Sequence, residues 1–347
     1  MSKSGVAKLK KVHEGADKIL ILLHDHPDPD AMASALALRT LLGRNRQTAT
    51  IGHFGTTVSR PENVAMMDML EIDVVSVTLR QAKNFDSVAM VDVQPSFFGD
   101  ILPKVDSVID HHPEVENYKA SFVRISADEG ATSTIMTGLL RASGMEISER
   151  LATALLYGIK TDTFSLARDA GDDDIEAFTF LYQKANLGLL RKIEKAEIPS
   201  DQLKVFGKSL ARHRVKDGVL FVNLGKVNHE YMIPKMADFC MQVKDTEWVA
   251  SFGILRDSYF LLSLRNVGYV KSAGRVARHL FHMFGSENGK NGKVLREQMK
   301  QGGGGGHSSA AKVVVPVREF KKLLGGISQK SIEKWVVETV IETIDEV

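Results

Sequence analysis

The sequence contains almost no cysteine, because Cys240 is the only one among 347 residues. A single thiol excludes a disulfide within the chain and a zinc site built from several cysteines. The apolar neighbours of Cys240 predict an inert core residue. Scarce cysteine is typical of proteins from reducing compartments, so we expect a cytoplasmic protein.

The sequence also lacks long apolar runs and an excess of one charge. No run approaches the roughly 20 residues of a membrane-spanning helix, and Ile19–Leu23, the first apolar run, is too short for a signal peptide. The chain has 45 Lys and Arg against 43 Asp and Glu, a net charge of +2. Long nucleic acids favour extended basic tracks. We therefore expect neither a membrane nor a long nucleic acid as partner.

The first half of the chain alternates short apolar runs with helical periodicity. The runs predicted as strands are Ile19–Leu23, Thr48–Ile51, Val74–Ser76, Ser87–Val91, Ser107–Ile109 and Ser121–Val123. The predicted helices are Ser34–Gly43, Asn63–Leu70, Thr132–Ser143, Ser148–Thr161 and Asp172–Asn186. This alternation predicts an α/β fold with a doubly wound, mostly parallel sheet. Asp172, Asp173 and Asp174 are expected in the first turn of a helix, where negative charge is favourable, and not at a metal.

The second half has a different pattern. Its predicted strands are Val219–Leu224, Thr246–Ile254, Tyr259–Leu264 and Lys312–Val317, and its last predicted helix is Ser331–Ile344. We predict a first domain over residues 1–190, a charged helical linker over 191–215, and a smaller α/β domain over 216–347. Residues 286–301 are rich in Gly, Asn, Lys and Glu and are predicted to be a surface insertion. The pattern leaves open whether the last helix packs on its own domain or on a partner, as in a homodimer.

The stretch His24–Ser34 places two imidazoles and three carboxylates within seven residues. It follows the first predicted strand, and α/β folds bind ligands at the carboxyl ends of their strands. Its two prolines predict that the next helix does not begin before Ser34. In such an extended loop Asp28 and Asp30 point to the same side, which suits a divalent metal. The alternative is that Asp30 is a helix cap in a solvated loop.

Further carboxylates and imidazoles follow other elements. Asp92 follows one predicted strand, Asp110-His111-His112 ends another, and Asp162 ends a helix. We expect all of them at one edge of the sheet. Converging carboxylates repel one another unless cations neutralise them, and two divalent metals with a shared water can act on a phosphoryl group. Taken singly, an Asp after a strand is usually a turn residue.

In this order the motifs resemble the DHH phosphoesterase superfamily. The residues are His24-x-x-Pro27-Asp28-x-Asp30-Ala31, Asp92, Asp110-His111-His112-Pro113 and Asp162. The run Gly303–His307, with Ala310-Ala311 and the upstream Ser263-Leu264-Arg265, resembles the family's associated C-terminal domain. The resemblance covers residues 15–320 and looks closest to nanoRNA oligoribonucleases and 3′-phosphoadenosine-5′-phosphate (pAp) phosphatases. Lys312 and Val93-Gln94-Pro95 depart from the family pattern, and we expect both departures on the substrate side.

The resemblance implies two divalent ions, with manganese expected and magnesium or cobalt as alternatives. It implies that His24 and Asp28 hold one ion and Asp30 and His111 the other, with Asp92 and Asp162 beside both. It implies catalytic roles for His112, at the phosphate or leaving oxygen, and for Asp110, which orients the histidines. It places the active site in the cleft between the two domains. The substrate-binding residues that it implies are Arg265, Gly303, Gly304, Gly305, Gly306 and His307.

Glycine amides can approach an anion closely, which fits this last assignment; a flexible linker is the alternative. The function that the resemblance implies is a phosphodiesterase cutting dinucleotides and other short RNA (nanoRNA) to 5′-mononucleotides. A cyclic-dinucleotide or pGpG phosphodiesterase and a pAp 3′-phosphatase stay open as alternatives. A non-catalytic nucleotide-binding module ranks lower, because every expected ligand type is present. The glycine–histidine motif disfavours an inorganic pyrophosphatase of the same superfamily.

Overall fold

The computed structural model describes residues 3–25, 27–55, 58–102, 104–115, 118–195, 199–267, 271–284, 304–306 and 308–347. The chain divides into two compact units, Met1–Glu197 and Ile198–Val347. The boundary falls inside the segment 191–215 that we predict as a linker. The predicted insertion 286–301, Gly303 and His307 lie outside the described residues. No helix in the described part of the chain is long and apolar enough to cross a membrane.

The first unit is built on a parallel six-stranded sheet of order β3-β2-β1-β4-β5-β6. Its strands are β1 Ile19–Leu22, β2 Ala49–His53, β3 Val74–Ser76, β4 Ser87–Val91, β5 Ser107–Asp110 and β6 Phe122–Ile125. The central strands β1 and β4 are buried throughout, as the short continuous apolar runs indicate. The chain winds outward from β1 in one direction and from β4 in the other. The carboxyl ends of β1 and β4 therefore flank the crevice in which such sheets bind ligands.

The helices of the first unit cover the two faces of the sheet unequally. They are α1 Lys3–Val12, α2 Pro29–Leu41, α3 Pro61–Met69, α4 Leu79–Ala82, α5 Thr132–Ser143, α6 Glu149–Asp162, α7 Asp172–Tyr182 and α8 Leu187–Glu194. One face carries the large core in which α2, α5 and α6 are packed. The other face is covered by a smaller cluster that includes α4 and the turn after β4. The predicted α/β fold with a parallel sheet is confirmed.

The start of α2 corrects two sequence predictions. Asp28 is the N-cap, and its Oδ1 accepts a hydrogen bond from the Ala31 amide at 3.0 Å. Pro29 occupies the first helical turn, where its missing N–H costs nothing. The prediction that the prolines delay the helix to Ser34 is therefore wrong. Asp28 and Asp30 do not share one side of an extended loop, and Asp30 is not the cap.

The aspartates of α7 lie in its first turn as predicted. The Asp174 carboxylate accepts hydrogen bonds from the amides of Gly130 and Gly171 and from the Thr134 hydroxyl. This side chain ties the loop before α5 to the start of α7.

The second unit contains a mixed six-stranded sheet of order β11-β12-β10-β9-β8-β7. Its strands are β7 Arg214–Lys216, β8 Val219–Val227, β9 Trp248–Leu255, β10 Tyr259–Asn266, β11 Gly304–Gly306 and β12 Ala310–Pro316. Its described helices are α9 Ser200–Leu210, α10 Met232–Cys240, α11 Ala273–His282, α12 Val317–Leu324 and α13 Gln329–Glu346. Along each strand, successive side chains point to opposite faces of the sheet, and each face carries one apolar cluster.

The terminal helix α13 packs on its own unit. Val336 and Val340 are buried in the apolar cluster on the face of the sheet that α11 and α12 also cover. The segment predicted as a linker is likewise packed: Ile193 of α8 is buried in the first unit, and Phe206 of α9 packs on the second. Cys240 is fully buried, and burial raises the pKa of its thiol to about 11, as expected for an inert core residue.

Candidate metal centre

The structure brings the predicted metal ligands of the first unit together at the carboxyl edge of its sheet. His24 Nε2 lies 3.8 Å from Asp28 Oδ2 and 3.7 Å from Asp92 Oδ2. His111 Nε2 lies 3.6 Å from Asp92 Oδ1 and 3.3 Å from Asp162 Oδ2. His24 and Asp28 share the connection between β1 and α2, whereas Asp92, His111 and Asp162 come from other loops or helix ends and are brought here only by the fold.

Among the described residues, three groups have ligand atoms within 4.8 Å of one another. The groups are His24, Asp28 and Asp92; Asp30, Asp92, His111 and Asp162; and Asp92, His111 and His112. Asp92 belongs to all three, which makes it the carboxylate able to bridge two ions. Asp162 belongs only to the group with Asp30 and His111.

Asp92 is held in an unfavourable position. Its backbone has a φ of 59°, in the left-handed region that non-glycine residues rarely adopt. The side chain is buried, and the Thr132 hydroxyl donates a hydrogen bond to its Oδ1 at 2.9 Å. Burial, followed by the charges of Asp30 and Asp28, raises the pKa of Asp92 well above its usual value. Backbone strain and a destabilised carboxylate are typical of functional sites.

Asp30 is fixed by the N-terminus of α5. Its Oδ2 accepts from the Thr132 amide at 2.7 Å and its Oδ1 from the Ser133 amide at 2.8 Å. These amides are helix N–H groups without partners in the helix, and they favour an anion. Burial still raises the pKa of Asp30. Gly158 on α6 makes this packing possible, since a Cβ there would lie 2.9 Å from Asp30 Oδ1.

The protonation of the cluster reflects its excess of negative charge. Burial would lower the pKa of His111, but its contact with Asp162 and the charge of Asp30 raise it to about 9. Burial and the charges of Asp28 and Asp30 raise the pKa of Asp162 to about 7. Burial would also lower the pKa of His24, but its interactions with Asp28 and other aspartates together outweigh burial, and the pKa is raised above its usual value. The cluster thus contains four carboxylates and two imidazoles, so the histidines alone cannot neutralise its negative charge.

The donor set fits a divalent cation. His111 Nε2 is buried and has no hydrogen-bond partner among the described residues, although it faces carboxylate oxygens. A cation between these groups would satisfy the imidazole and neutralise the carboxylates together. Carboxylate oxygens and imidazoles without thiolates suit manganese and magnesium.

Asp110 and His112 form a hydrogen-bonded pair at the edge of the cluster, where His112 Nδ1 also lies 3.9 Å from Asp92 Oδ1. Asp110 Oδ1 accepts from His112 Nδ1 at 2.8 Å and from the His112 amide at 3.3 Å. Burial would raise the pKa of Asp110, but its hydrogen bonds and its attraction to His112 together outweigh burial, and the pKa is lowered below its usual value. Gln94 donates to Asp110 Oδ2 at 2.7 Å and accepts from the Val115 amide. Gln94 therefore braces the Asp110–Val115 loop, a role that the expectation of a substrate-side departure did not include.

Sequence reasoning did not identify three residues of this site: Thr132, Gln94 and Gly158. Thr132 begins a predicted helix and Gln94 follows a predicted strand, but a single hydroxyl or amide at such a position is a weak signal without a known partner. Gly158 does give a signal, because a glycine inside a predicted helix costs about 1 kcal/mol of helix stability relative to alanine. Such a glycine indicates a close packing contact at that position. Thr161 and Thr163 donate to carbonyls of their own helix, whereas Ser34 contacts Ser133 at 3.3 Å.

The predicted substrate residues of the second unit are described in part. Arg265 on β10 donates from Nε to Asp238 Oδ1 at 2.6 Å and from Nη1 to Ser263 Oγ at 3.0 Å. Gly304–Gly306 form strand β11, paired antiparallel with β12. The flexible-linker alternative is therefore wrong for these three glycines. Gly303 and His307 lie outside the described residues.

Comparison with known proteins supports the reading of the first unit. Residues 18–159 match the N-terminal domain of the DHH family. The chain is 32% identical over 290 residues to an uncharacterized protein of Methanocaldococcus jannaschii, covering 83% of this chain and 60% of that protein. It is 29% identical to a probable manganese-dependent inorganic pyrophosphatase of Lactobacillus helveticus, over 49% of this chain and 56% of that protein.

Two further similarities each cover at least three quarters of the chain. It is 25% identical to the cyclic-di-AMP phosphodiesterase GdpP of Bacillus subtilis, over 76% of this chain and 43% of that protein. The crystal structure of an exopolyphosphatase-related protein from Bacteroides fragilis has a TM-score of 0.71 at 16% identity, covering 99% of this chain and 96% of that one. This last likeness concerns the fold. The chain spans about half of the curated relatives' own length.

Proposed function

We propose that this chain, whose residues 18–159 match the N-terminal domain of the DHH family, is a phosphoesterase that hydrolyses the phosphodiester bond of short RNA and releases 5′-mononucleotides. The observation that carries the proposal is the position of Asp92, within ligand distance of two histidine–carboxylate groups at once. A shared carboxylate between two ion positions is the arrangement used for two-metal phosphoryl chemistry. Dinucleotides are the expected preferred substrates.

Two divalent ions fit these residues, with manganese expected. His24 and Asp28 would hold one, Asp30, His111 and Asp162 the other, and Asp92 both. When bound, such ions lower the pKa of a water and neutralise phosphoryl oxygens. The protein holds Asp30 with two amides and Asp92 with one hydroxyl, so these oxygens are oriented before any ligand arrives.

His112 is the proton donor in the proposed reaction. Its side chain is 42% exposed, and Nδ1 donates to Asp110. Proton exchange with the leaving ribose oxygen therefore falls to Nε2. Asp110 orients the His112 ring through this hydrogen bond and is itself held by Gln94. Nothing in this arrangement requires a covalent intermediate on the enzyme.

The near-neutral charge of the chain supports a short substrate. A cyclic dinucleotide is the second candidate, and the specific observation in its favour is the similarity to GdpP over 287 residues. The pyrophosphatase similarity covers only 49% of this chain. A pAp 3′-phosphatase activity is compatible with the same metal centre.

The deciding experiment is a substrate panel with manganese or magnesium. The compounds are pApA, pGpG, a longer RNA, cyclic di-AMP, pAp and pyrophosphate. We expect the highest kcat/KM for the linear dinucleotides, and loss of all activity in Asp92→Asn. If dinucleotides are cut no faster than longer RNA, or if pyrophosphate is the best substrate, the proposed function is wrong.

A further inference from the structure

The sheet of the second unit carries a polar row across an otherwise apolar face. Ser263 on β10 lies opposite Ser251 on β9 and Lys312 on β12, and Lys312 lies opposite Gly305 on β11. Neighbouring positions on this face, such as Leu261 and Val314, belong to the cluster covered by α10. A line of hydroxyl and ammonium groups in such a face needs partners, because burying unpaired polar groups is costly.

The hydrogen bonds within the row are incomplete. Ser251 Oγ is fully buried and has no hydrogen-bond partner in the described part of the chain. Ser263 Oγ accepts a hydrogen bond from Arg265 Nη1 at 3.0 Å. Arg265 lies two residues along β10 from Ser263, on the same face, and is therefore the diagonal neighbour of Lys312. Two cations thus lie side by side next to a glycine strand.

Both cations are neutralised by acidic residues from one segment. Asp238 on α10 pairs with Arg265 at 2.6 Å, and Glu230, just before α10, pairs with Lys312. The four side chains remain partly exposed, between 19% and 49%. A pair at the solvent boundary is weak enough to be exchanged, since water screens its attraction. A phosphate offers more oxygen acceptors and more negative charge than a carboxylate.

We propose that Lys312 is a phosphate-binding residue that acts with Arg265, and that Glu230 covers it until a nucleotide phosphate displaces the carboxylate. Gly305, the residue opposite Lys312 on β11, carries no side chain. The ligand class is a phosphate monoester of a nucleoside. This inference deepens the proposed function by naming a cation that holds the substrate in the second unit.

The test measures binding of AMP to the full chain without metal, by calorimetry, so that turnover plays no part. We expect Lys312→Ala to weaken AMP binding by about tenfold or more, as for other hydrogen bonds to charged groups. Lys226→Ala is the matched control, since Lys226 forms a surface pair with Asp257 in the same unit. Unchanged AMP affinity in Lys312→Ala overturns the proposal.

A second variant tests the covering role of Glu230. Glu230→Gln should bind AMP severalfold more tightly, and this gain should vanish in the Lys312→Ala background. Weaker AMP binding by Glu230→Gln overturns the displacement step. Adenosine, which lacks the phosphate, should bind the unmodified chain and Lys312→Ala equally. If Lys312→Ala loses as much affinity for adenosine as for AMP, the phosphate assignment is overturned.

The two proposals fail separately. If AMP binding depends on Lys312 but no dinucleotide is cut with metal, the proposed function is wrong and the phosphate site stands. If dinucleotides are cut and Lys312→Ala binds AMP like the unmodified chain, only the phosphate site is wrong.

Discussion

The hydroxyl of Thr132 lies 2.9 Å from Asp92 Oδ1, and the amide of the same residue lies 2.7 Å from Asp30 Oδ2. One residue at the start of α5 therefore positions two carboxylates of the metal centre. The amide contact comes from the backbone, so substitution of the side chain removes only the contact with Asp92.

Thr132→Val should weaken manganese binding by roughly tenfold to a hundredfold, because partners that orient a metal ligand contribute about that much. The isosteric side chain keeps the packing, and Thr132→Ser should restore affinity. Calorimetric titration of the metal-free protein measures the effect. Thr137→Val is the control: this buried hydroxyl on the same helix donates to the Ser133 carbonyl and to no carboxylate among the described residues, so its loss should leave metal affinity unchanged.

Gly158→Ala should destabilise the first unit and the metal centre together. The added Cβ would lie 2.3 Å from Ser133 Oγ and 3.1 Å from the Asp30 Cα, which is backbone and cannot simply rotate away. We expect a loss of about 1–3 kcal/mol in the free energy of unfolding, measured by urea denaturation. Gly207→Ala is the control, since nothing lies within 4 Å of a Cβ on that helix. A neutral Gly158→Ala would mean that α2 and α6 are less tightly packed here than described.

Asp92→Asn should abolish turnover but stabilise the protein when metal is removed. The buried carboxylate is surrounded by Asp28, Asp30 and Asp162, and the amide removes that repulsion. Thermal unfolding in EDTA should show a higher midpoint for Asp92→Asn than for the unmodified chain. Manganese should raise the midpoint of the unmodified chain and do so much less in the variant. A lower midpoint of the variant in EDTA would contradict the repulsion argument.

His13 should make stability depend on pH. It is buried, its two ring nitrogens lie 2.8 Å from Ser87 Oγ and Ser107 Oγ, and burial lowers its pKa to about 4, with Arg44 adding to this and Asp106 opposing it. The unfolded chain binds a proton near 6.5, so between about 6.5 and 4 unfolding takes up a proton and stability falls as the pH falls. The loss from this residue approaches about 3 kcal/mol at pH 4.

The measurement is the free energy of unfolding of the unmodified chain and of His13→Gln across this range. Gln keeps a donor and an acceptor between the two serines but does not titrate. We expect the difference in stability between the two proteins to change as the pH falls from 7 to 4, in favour of the variant. Parallel pH profiles would show that the pKa of His13 is the same in the folded and unfolded chain, which would contradict this prediction.

Local residue patterns were enough to predict the strands of the first unit. Continuous apolar runs such as Ser87–Val91 mark buried parallel strands, and the structure ends that strand at the predicted residues. The residue types of the metal centre were also visible in the sequence. His24 and Asp92 each follow a predicted strand, and Asp162 lies at the end of a helix. The start of α2 was mispredicted, because Pro29 and Asp28 are equally compatible with a loop and with a capped helix. Only the packing of α2 in the core distinguishes the two.

The sequence by itself determined the number and order of the strands of the first unit, because hydrophobic period is a local property. Only β3 and β4 have the predicted bounds. The sequence also excluded a disulfide within the chain and a metal site built from several thiolates. Tertiary structure alone decided that Thr132 meets Asp92 across 40 residues and that Gly158 makes room for Asp30. It likewise decided that Lys312 shares a row with Ser263 and Ser251. These contacts join distant segments, and their partners depend on strand register and helix packing, which no local pattern specifies.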